Sequence, residues 1–247
     1  MGAQDVPAPQ LSIVIPAMNE ERRLPRTLRR VVEYMRERPE TWEVIVVDDG
    51  SRDRTADIVE ELSRELDEPR LTVLRLARNQ GKGGAQREGV AHSRGERVLL
   101  MDADLATPIE ELEPLWRAID RGADVAIGSR ALPTSNITRP QSLPRVLLGS
   151  AGNLWIRFFA VAGIYDTQCG FKLFRGDLAR KLFAMGRENR FAIDIELLCL
   201  AQRVFHADIA EIGVTWEHQD LSSVRWRDYV DVLARVARIG MRIPKSK

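Results

Sequence analysis

Short apolar segments alternate with longer charged segments through the first half of this 247-residue chain. The apolar segments are rich in Val, Ile and Leu and too short for helices, so each predicts a buried strand. Apolar strands between amphipathic helices indicate a mostly parallel sheet with helices on both faces. We predict strands over 11–16, 42–47, 71–76, 98–101 and 125–127, and helices over 20–38, 53–66, 84–93 and from near Pro108.

The second half of the chain is less regular. Residues 130–143 are rich in proline, serine and threonine, which predicts a mobile functional loop. The remaining pattern predicts helices over 146–162, 176–184 and 193–204, a strand over 209–216 and a final helix over 225–242.

Charge and cysteine content narrow the classes of function. A formal net charge of +1 argues against general nucleic-acid binding. Two cysteines, Cys169 and Cys199, and no signal peptide before the first strand predict a reduced, cytoplasmic protein without disulfides. The most apolar stretch, 146–165, contains Arg157, and a central arginine costs about 3 kcal/mol on membrane-insertion scales. We therefore expect a buried or interfacial helix there, not a membrane span.

Two carboxylates, Asp102 and Asp104, follow the predicted strand over 98–101. In an extended chain this spacing places both side chains on one face. Ligands of parallel sheets bind at the carboxyl ends of the strands, where hard oxygen donors suit Mg²⁺ or Mn²⁺ carrying a diphosphate. A strand followed by an aspartate-rich turn without a ligand fits the motif alone equally well.

Two further polar motifs follow neighbouring strands. Asp48 and Asp49 end the strand over 42–47, where a carboxylate can accept hydrogen bonds from a ribose hydroxyl or a base. For Asp49 a purely structural role at the start of the next helix fits as well, whereas ligand contact is favoured for Asp48. The glycine-rich turn over 78–85 opens a helix, so its backbone N–H groups and Lys82 predict a phosphate contact.

Taken in order and in strand context, segments 16–20, 47–51, 79–83 and 102–104 resemble the family 2 glycosyltransferases of the GT-A fold. The resemblance implies an α/β fold that binds a nucleotide sugar on a mostly parallel sheet. It implies that Asp102 and Asp104 flank the diphosphate of the donor, with Asp104 as the ligand of the metal. The residues that it implies around the donor are Pro16, Ala17, Glu20, Asp48, Asp49, Lys82, Asp102 and Ala103.

Three segments of the second half, 128–130, 166–174 and 191–196, resemble the polyprenyl-phosphate (dolichyl-phosphate) glycosyltransferases. Segment 104–108 is closer to the glucosyl than to the mannosyl pattern. The resemblance thus implies inverting transfer of glucose from UDP-glucose to a polyprenyl phosphate. There are three alternatives. The donor is GDP-mannose, or the acceptor is a hydroxyl in polysaccharide or glycolipid synthesis, or the protein binds a nucleotide sugar without turnover.

The placement of charge independently indicates an anionic acceptor. No acidic residue occurs between Asp124 and Asp166, whereas four arginines do. A planar guanidinium suits phosphate oxygens, although an ordinary solvated surface also accounts for arginines in a chain so rich in them. His218 joins the candidates because it ends the last strand on the side where the family binds ligands. The candidates for acceptor or phosphate contact are Arg130, Arg139, Lys172 and His218.

Two carboxylates, Asp194 and Glu196, are the candidate catalytic bases for a hydroxyl acceptor. A phosphate acceptor has a second pKa of about 6 and is largely dianionic already, so it needs no base. We then expect these carboxylates to position the acceptor.

The C-terminal segment is amphipathic, with an apolar stripe formed by Trp226, Tyr229, Val230, Leu233 and Ala237. Such a helix either lies in an anionic membrane surface or packs on its own domain. We expect a tail over 1–10, a catalytic domain over 11–224 and a basic helix with its tail over 225–247. The expected location is the cytoplasm, in peripheral contact with the inner face of the membrane.

Overall fold

The computed structural model describes residues 7–139, 155–156, 158–217 and 226–244, with the backbone alone at 139, 226–231, 233 and 234. Strands are β1 (Leu11–Ala17), β2 (Trp42–Asp48), β3 (Leu71–Arg75), β4 (Arg97–Leu100), β5 (Val125–Ser129), β6 (Asn136–Arg139), β7 (Lys172–Arg175), β8 (Ile209–Gly213) and β9 (Thr215–Glu217). Helices are α1 (Leu24–Arg36), α2 (Thr55–Glu65), α3 (Lys82–His92), α4 (Leu112–Asp120), α5 (Gly176–Met185), α6 (Ile193–Arg203) and α7 (Trp226–Arg242).

The central sheet has seven strands in the order β3-β2-β1-β4-β7-β5-β8. Its strands are parallel except for β7, which runs antiparallel between β4 and β5. The carboxyl ends of the parallel strands therefore share one edge of the sheet, and β7 begins there, with Lys172 beside Leu100 and Ile127. This edge is where ligands of such sheets bind.

Helices cover both faces of the sheet, which explains the unbroken apolar strands. Side chains of β1 alternate between the two layers: Ile13 and Ile15 pack against the layer of α1, α2 and α4, and Val14 packs against the opposite layer. The opposite layer consists of α3, α5, α6 and the C-terminal part of α7. The predicted α/β class and the mostly parallel sheet are confirmed.

The structure differs from the sequence-based elements in the second half. The predicted loop over 130–143 contains β6, and the strand predicted over 209–216 is divided at Val214. Val214 donates to Ser129 and accepts from Asn136, so the chain leaves the central sheet and β9 pairs with β6 in a separate two-stranded sheet. The helix predicted over 146–162 lies largely outside the described residues.

The C-terminal helix packs on its own domain over the part whose side chains are described. Val236, Ile239 and the following Ile243 are buried against the α6 layer, and Arg203 of α6 donates to the carbonyls of Gly240 and Ile243. The predicted stripe lies outside the described side chains except for Ala237, which is half-buried. In the part of the chain that is described, every helix is too short or too polar to cross a bilayer.

Helix α3 approaches the sheet so closely that it needs a glycine. A Cβ at Gly89 would overlap Val14 of β1 and lie 2.9 Å from Cγ2 of Val47. We expect Gly89→Ala to lower the free energy of unfolding by about 1–2 kcal/mol in urea denaturation, because overpacking outweighs the helix propensity of alanine. In a Val14→Ala background the same change is expected to cost less; equal losses in both backgrounds would contradict this packing.

Candidate active site

Charged side chains from four elements meet at the carboxyl edge of the sheet. Asp102 follows β4, Lys82 begins α3, Asp194 lies in α6 and Lys172 begins β7. Lys82 Nζ lies 2.7 Å from Asp102 Oδ1 and 3.9 Å from Asp194 Oδ2, and Lys172 Nζ lies 2.5 Å from Asp194 Oδ1. The four groups thus form a chain of alternating charge, in which Lys172 is fully buried and Asp102 is 44% exposed.

The ion pairs outweigh burial in setting the charge of Asp102 and Lys82. Burial alone raises the pKa of Asp102, but the charge and hydrogen bond of Lys82 hold it below its usual value. Burial likewise opposes the charge on Lys82, whereas Asp102 and Asp194 raise its pKa. Both groups are therefore charged at neutral pH, and Lys82 presents a cation next to Asp102.

Asp104 lies in a different environment. One oxygen accepts from the backbone N–H of Ala106 at 3.1 Å, and the other lies 3.9 Å from Arg23 Nη1. Burial and the charge of Asp102 raise the pKa of Asp104, and burial raises that of Glu20 although Arg23 binds Glu20 through both oxygens. Excess negative charge is therefore concentrated near Asp104.

This surplus of carboxylate fits a divalent cation that the protein holds only in part. Among the described residues, no three His, Cys, Asp or Glu side chains are grouped so as to hold a metal ion. Mg²⁺ characteristically takes one or two carboxylates and completes its shell with water and substrate phosphates. The donor set fits such a cation at Asp104, shared with a diphosphate.

Asp48 and Asp49 have different surroundings despite their adjacency. Asp48 accepts from the N–H of Ser51 at 3.0 Å. Asp49 accepts from the N–H groups of Gln80 and Gly81 at 2.6 and 2.8 Å and from Asn79 Nδ2 at 2.9 Å. Asp49 therefore fastens the glycine-rich turn before α3, and the predicted structural role at the start of the next helix, α2, belongs to Asp53, which accepts from the N–H of Thr55.

The first two loops at this edge of the sheet are also joined. The carbonyl of Ala17 accepts from the N–H of Asp49, and Glu20 N–H donates to Thr55 Oγ1 at 2.8 Å. Pro16 and Ala17 end β1, and Ala103 is buried beneath α1, where its carbonyl accepts from Thr27 Oγ1. The residues predicted around the donor therefore lie along a common rim.

Four backbone N–H groups of the glycine-rich turn are not open to phosphate as predicted. Gly83 and Gly84 donate their N–H groups to the carbonyl of Asn189 at 2.8 and 3.2 Å, while Asp49 occupies those of Gln80 and Gly81. A Cβ at Gly83 would lie 2.7 Å from the carbonyl oxygen of Glu188. The prediction was wrong because these glycines allow close packing against residues 186–190; Lys82 supplies the remaining cation.

Residues 186–190, hereafter the strut, connect this turn to the C-terminal helix. Glu196, which is fully buried, accepts from the N–H groups of Arg187 and Glu188 at 2.8 and 2.7 Å and pairs with Arg242. Glu188 pairs with Arg235 of α7 at 2.7 Å. Arg87 of α3 donates to the carbonyls of residues 186 and 188 and to the side chain of residue 189.

Glu196 therefore lies apart from the charged chain that contains Asp194. Positions two apart on a helix do not face the same way, so these two carboxylates of α6 point to different neighbours. Asp194 meets the two lysines, whereas Glu196 meets the strut and α7. The contacts of Glu196 are those of an anchor, which corrects its prediction as a catalytic base.

Arg130 is paired within the protein. Its guanidinium binds both oxygens of Asp166, at 2.7 and 2.9 Å, and lies 5.5 Å from the ring centre of Trp216. Burial raises the pKa of Asp166, but the charge and hydrogen bonds of Arg130 lower it to about 2. Arg130 also lines a cavity of about 40 Å³ beside Asp102. For Arg139 only the backbone, in β6, is described, and His218 lies outside the described residues.

Sequence reasoning missed Arg23, Asp166, Gly170 and Trp216. A Cβ at Gly170 would overlap the carboxylate of Asp102, so any other residue there would displace this carboxylate. The available signal was the position of Asp166, the first acidic residue after a long stretch rich in arginine. Its pairing with Arg130 could not be inferred, because 35 residues separate the two.

The mostly parallel sheet with helices on both faces and an acidic edge beside a lysine is the arrangement of the GT-A fold. Residues 12–183 match the family described as Glycosyl transferase family 2. The protein belongs to glycosyl transferase family 2.

Related sequences include the dolichyl-phosphate beta-glucosyltransferase of Homo sapiens, 40% identical over 86% of this chain and 68% of that protein. The enzyme of the same name from Saccharomyces cerevisiae is 34% identical over 87% of this chain and 69% of that protein.

Solved structures with the same fold include mannosyl-3-phosphoglycerate synthase from Rubrobacter xylanophilus, which is 18% identical with a TM-score of 0.72 over 95% of this chain and 73% of that one. Glucosyl-3-phosphoglycerate synthase from Mycobacterium tuberculosis, solved in complex with Mn²⁺, UDP-glucose and phosphoglyceric acid, is also 18% identical. Its TM-score is 0.69 over 96% of this chain and 81% of that one.

The Arg130–Asp166 pair predicts a specific dependence of stability on pH. The folded pKa of Asp166 lies below the unfolded value of about 3.9, so the ionised pair stabilises the fold above that value and is lost as the pH falls through about 2. The stability advantage over Asp166→Asn is expected to shrink by about 2 kcal/mol between pH 5 and pH 2, measured by urea unfolding. Exposed Asp177→Asn serves as the control, and a constant difference for Asp166→Asn would contradict the pairing.

The strut predicts a link between Glu196 and the glycine-rich turn. Glutamine has one acceptor oxygen where glutamate uses two, so Glu196→Gln breaks either the contact with Arg242 or those with the strut. We expect backbone amides of 80–90 to exchange at least about tenfold faster, measured by hydrogen exchange with mass spectrometry. Glu68→Gln is the matched control, since Glu68 is equally buried and paired with Arg36 and Arg70. Unchanged exchange in Glu196→Gln would disprove the link.

Proposed function

We propose that this protein transfers glucose from UDP-glucose to a dolichyl or other polyprenyl phosphate, with inversion at the anomeric carbon. The observation that carries the proposal is the 34–40% identity to dolichyl-phosphate beta-glucosyltransferases over 86–87% of the chain. Two features of the site support the proposal: the row of alternating charges that ends at Asp102, and the excess of carboxylates near Asp104.

The donor diphosphate fits the edge of the sheet between Lys82 and Asp104. The ammonium group of Lys82 is held by Asp102 and Asp194, so it can bind a phosphate oxygen without having to be ordered first. Asp104 is the proposed ligand of Mg²⁺ or Mn²⁺, which when bound neutralises charge on the departing UDP. The nucleoside would lie along the rim formed by Pro16, Ala17, Glu20 and Asp48.

The nucleophile in this reaction is an oxygen of the lipid phosphate. It forms the new bond to the anomeric carbon of glucose while the bond from that carbon to the UDP oxygen breaks, and the electron pair leaves with UDP. No proton has to be removed, because the phosphate is largely dianionic at neutral pH. Asp194 is engaged by both lysines. We therefore propose that Asp194 positions Lys82, and that the buried Lys172 holds Asp194 in place.

The acceptor phosphate fits the side of the site that carries Arg130. Arg130 is held in place by Asp166 and keeps about a third of its side chain exposed. Arg139 follows on β6, in the stretch of sequence without acidic residues. Arginine binds phosphate through two parallel hydrogen bonds, which suits an acceptor that must be oriented toward the donor.

We further propose peripheral contact with the cytoplasmic face of a membrane; exposed apolar side chains support the contact itself. Trp155, Phe158 and Met241 are 42%, 74% and 78% exposed. Gly240 lies against the backbone carbonyl of Phe159, so the segments that carry Phe158 and Met241 are adjacent. Aromatic side chains favour the boundary between lipid headgroups and acyl chains, where the acceptor phosphate is also located.

The reaction can be tested with the purified protein, Mn²⁺ or Mg²⁺, a short polyprenyl phosphate and radiolabelled nucleotide sugars. We expect label from UDP-glucose in the organic phase, dependent on the metal. Asp104→Ala is expected to lower the rate at least about 100-fold, because charge on the leaving group is no longer neutralised. Exposed Asp120→Ala is the control and should retain activity.

The alternatives give distinct results in the same assay. Lipid label only from GDP-mannose would overturn the choice of donor and keep the reaction class. Binding of UDP-glucose without lipid label would indicate a hydroxyl acceptor or a protein without turnover. Lipid labelling that survives Asp104→Ala would contradict the role of Asp104.

A further inference from the structure

The turn over residues 166–170 forms one wall of the cavity beside Asp102. Gln168, Gly170 and the adjoining Phe171 line this cavity together with Asp102 and other residues from three further segments. These are Ala106, Thr107, Arg130 and Trp216. A volume of about 40 Å³ accommodates a few water-sized groups, so it fits the hydroxyl edge of a sugar ring and not a nucleotide.

Hydrogen bonds hold several backbone groups of this turn and of the adjoining Tyr165 in place. The carboxylate of Glu211 accepts from the N–H groups of Tyr165 and Asp166, and Asp166 accepts from the N–H of Gln168 at 3.1 Å. Lys172 donates to the carbonyl of Cys169. The backbone position of Gln168 is therefore set before any ligand binds.

The side chain of Gln168 carries a hydrogen-bond donor that the protein leaves unused. Its Nε2 is buried and has no hydrogen-bond partner among the described residues. A buried donor without a partner is destabilising by about 1–3 kcal/mol, so it indicates a group that is completed by something outside the chain. Thr167 Oγ1 and the amide of Gln86 are also unpaired, but neither residue lines the cavity.

We propose that Gln168 determines sugar specificity: when the hexose of the donor enters this cavity, the Gln168 amide turns toward it and donates a hydrogen bond from Nε2 to one of its hydroxyls. The inference rests on the proposed function and extends it to the sugar subsite. The lining supplies the remaining chemistry: the Asp102 carboxylate accepts from hydroxyls, and the ring of Trp216 offers an apolar surface for the C–H face of a pyranose. The ion pair between Arg130 and Asp166 holds this wall in place.

The experiment separates sugar recognition from nucleotide recognition. Dissociation constants for UDP and for UDP-glucose are measured by calorimetry with Mn²⁺, for wild type and for Gln168→Met. Methionine keeps the length of the side chain and removes the hydrogen-bond donor. We expect the affinity for UDP to change less than about twofold and that for UDP-glucose to fall about tenfold or more, because a site built around a hydroxyl loses its partner. The KM for UDP-glucose is expected to rise in parallel.

The matched control is Thr167→Val, which removes the neighbouring unpaired hydroxyl without changing shape. It should leave both dissociation constants unchanged. Monodeoxy analogues of UDP-glucose identify the hydroxyl, since the analogue lacking it should bind wild type and Gln168→Met equally. Should Gln168→Met fail to fold, Gln168→Glu replaces it, because glutamate keeps the acceptor oxygen and lacks the donor.

Two results would overturn the inference and leave the proposed function intact. Equal affinity of wild type and Gln168→Met for UDP-glucose would overturn the role of Gln168 while leaving the proposed function intact. An equal loss of affinity for UDP and UDP-glucose would assign Gln168 to the shape of the site and not to the sugar. Absence of UDP binding by wild type would instead remove the proposed function, and this inference with it.

Discussion

The site depends on one buried cation. Lys172 begins the single antiparallel strand of the sheet and is fully buried. A buried ammonium group is strongly unfavourable unless a carboxylate and hydrogen bonds compensate it, so Asp194 has to lie beside it. Asp194 then attracts Lys82, and Lys82 holds Asp102. The antiparallel strand β7 thus places Lys172 in the core, and from there the charges of the site alternate outward to the solvent.

The sequence specifies the first half of the fold more clearly than the second. Strands β1, β2 and β4 are buried on both faces, so their apolar runs are distinct, and their carboxyl ends place Asp48 and Asp102 at one edge. Strand β7 was not predicted, because its short apolar part lies between two charged residues, Lys172 and Arg175. The pairing of β6 with β9 joins segments far apart in the chain, which no local pattern reveals.

The glycine-rich turn illustrates an ambiguity of sequence. Glycine permits close approach of a phosphate and close approach of another backbone equally well. Here the partner is the carbonyl of Asn189, far along the chain, and the turn is closed by protein. Similarly, Asp194 and Glu196 look alike in sequence, yet the helix directs one to the lysines and the other to the strut. The direction of the side chain distinguishes the roles of these two residues, whereas the residue type does not.

The strut also has a consequence for the order of folding. The contacts that seat Gly83 and Gly84 come from a residue roughly a hundred positions later, and those that seat the strut come from Arg235 and Arg242, near the end of the chain. Such non-local contacts form after local ones, since a long loop must first close. During synthesis, an emerging chain can build the early strands, but the glycine-rich turn acquires its final support only when α7 has left the ribosome.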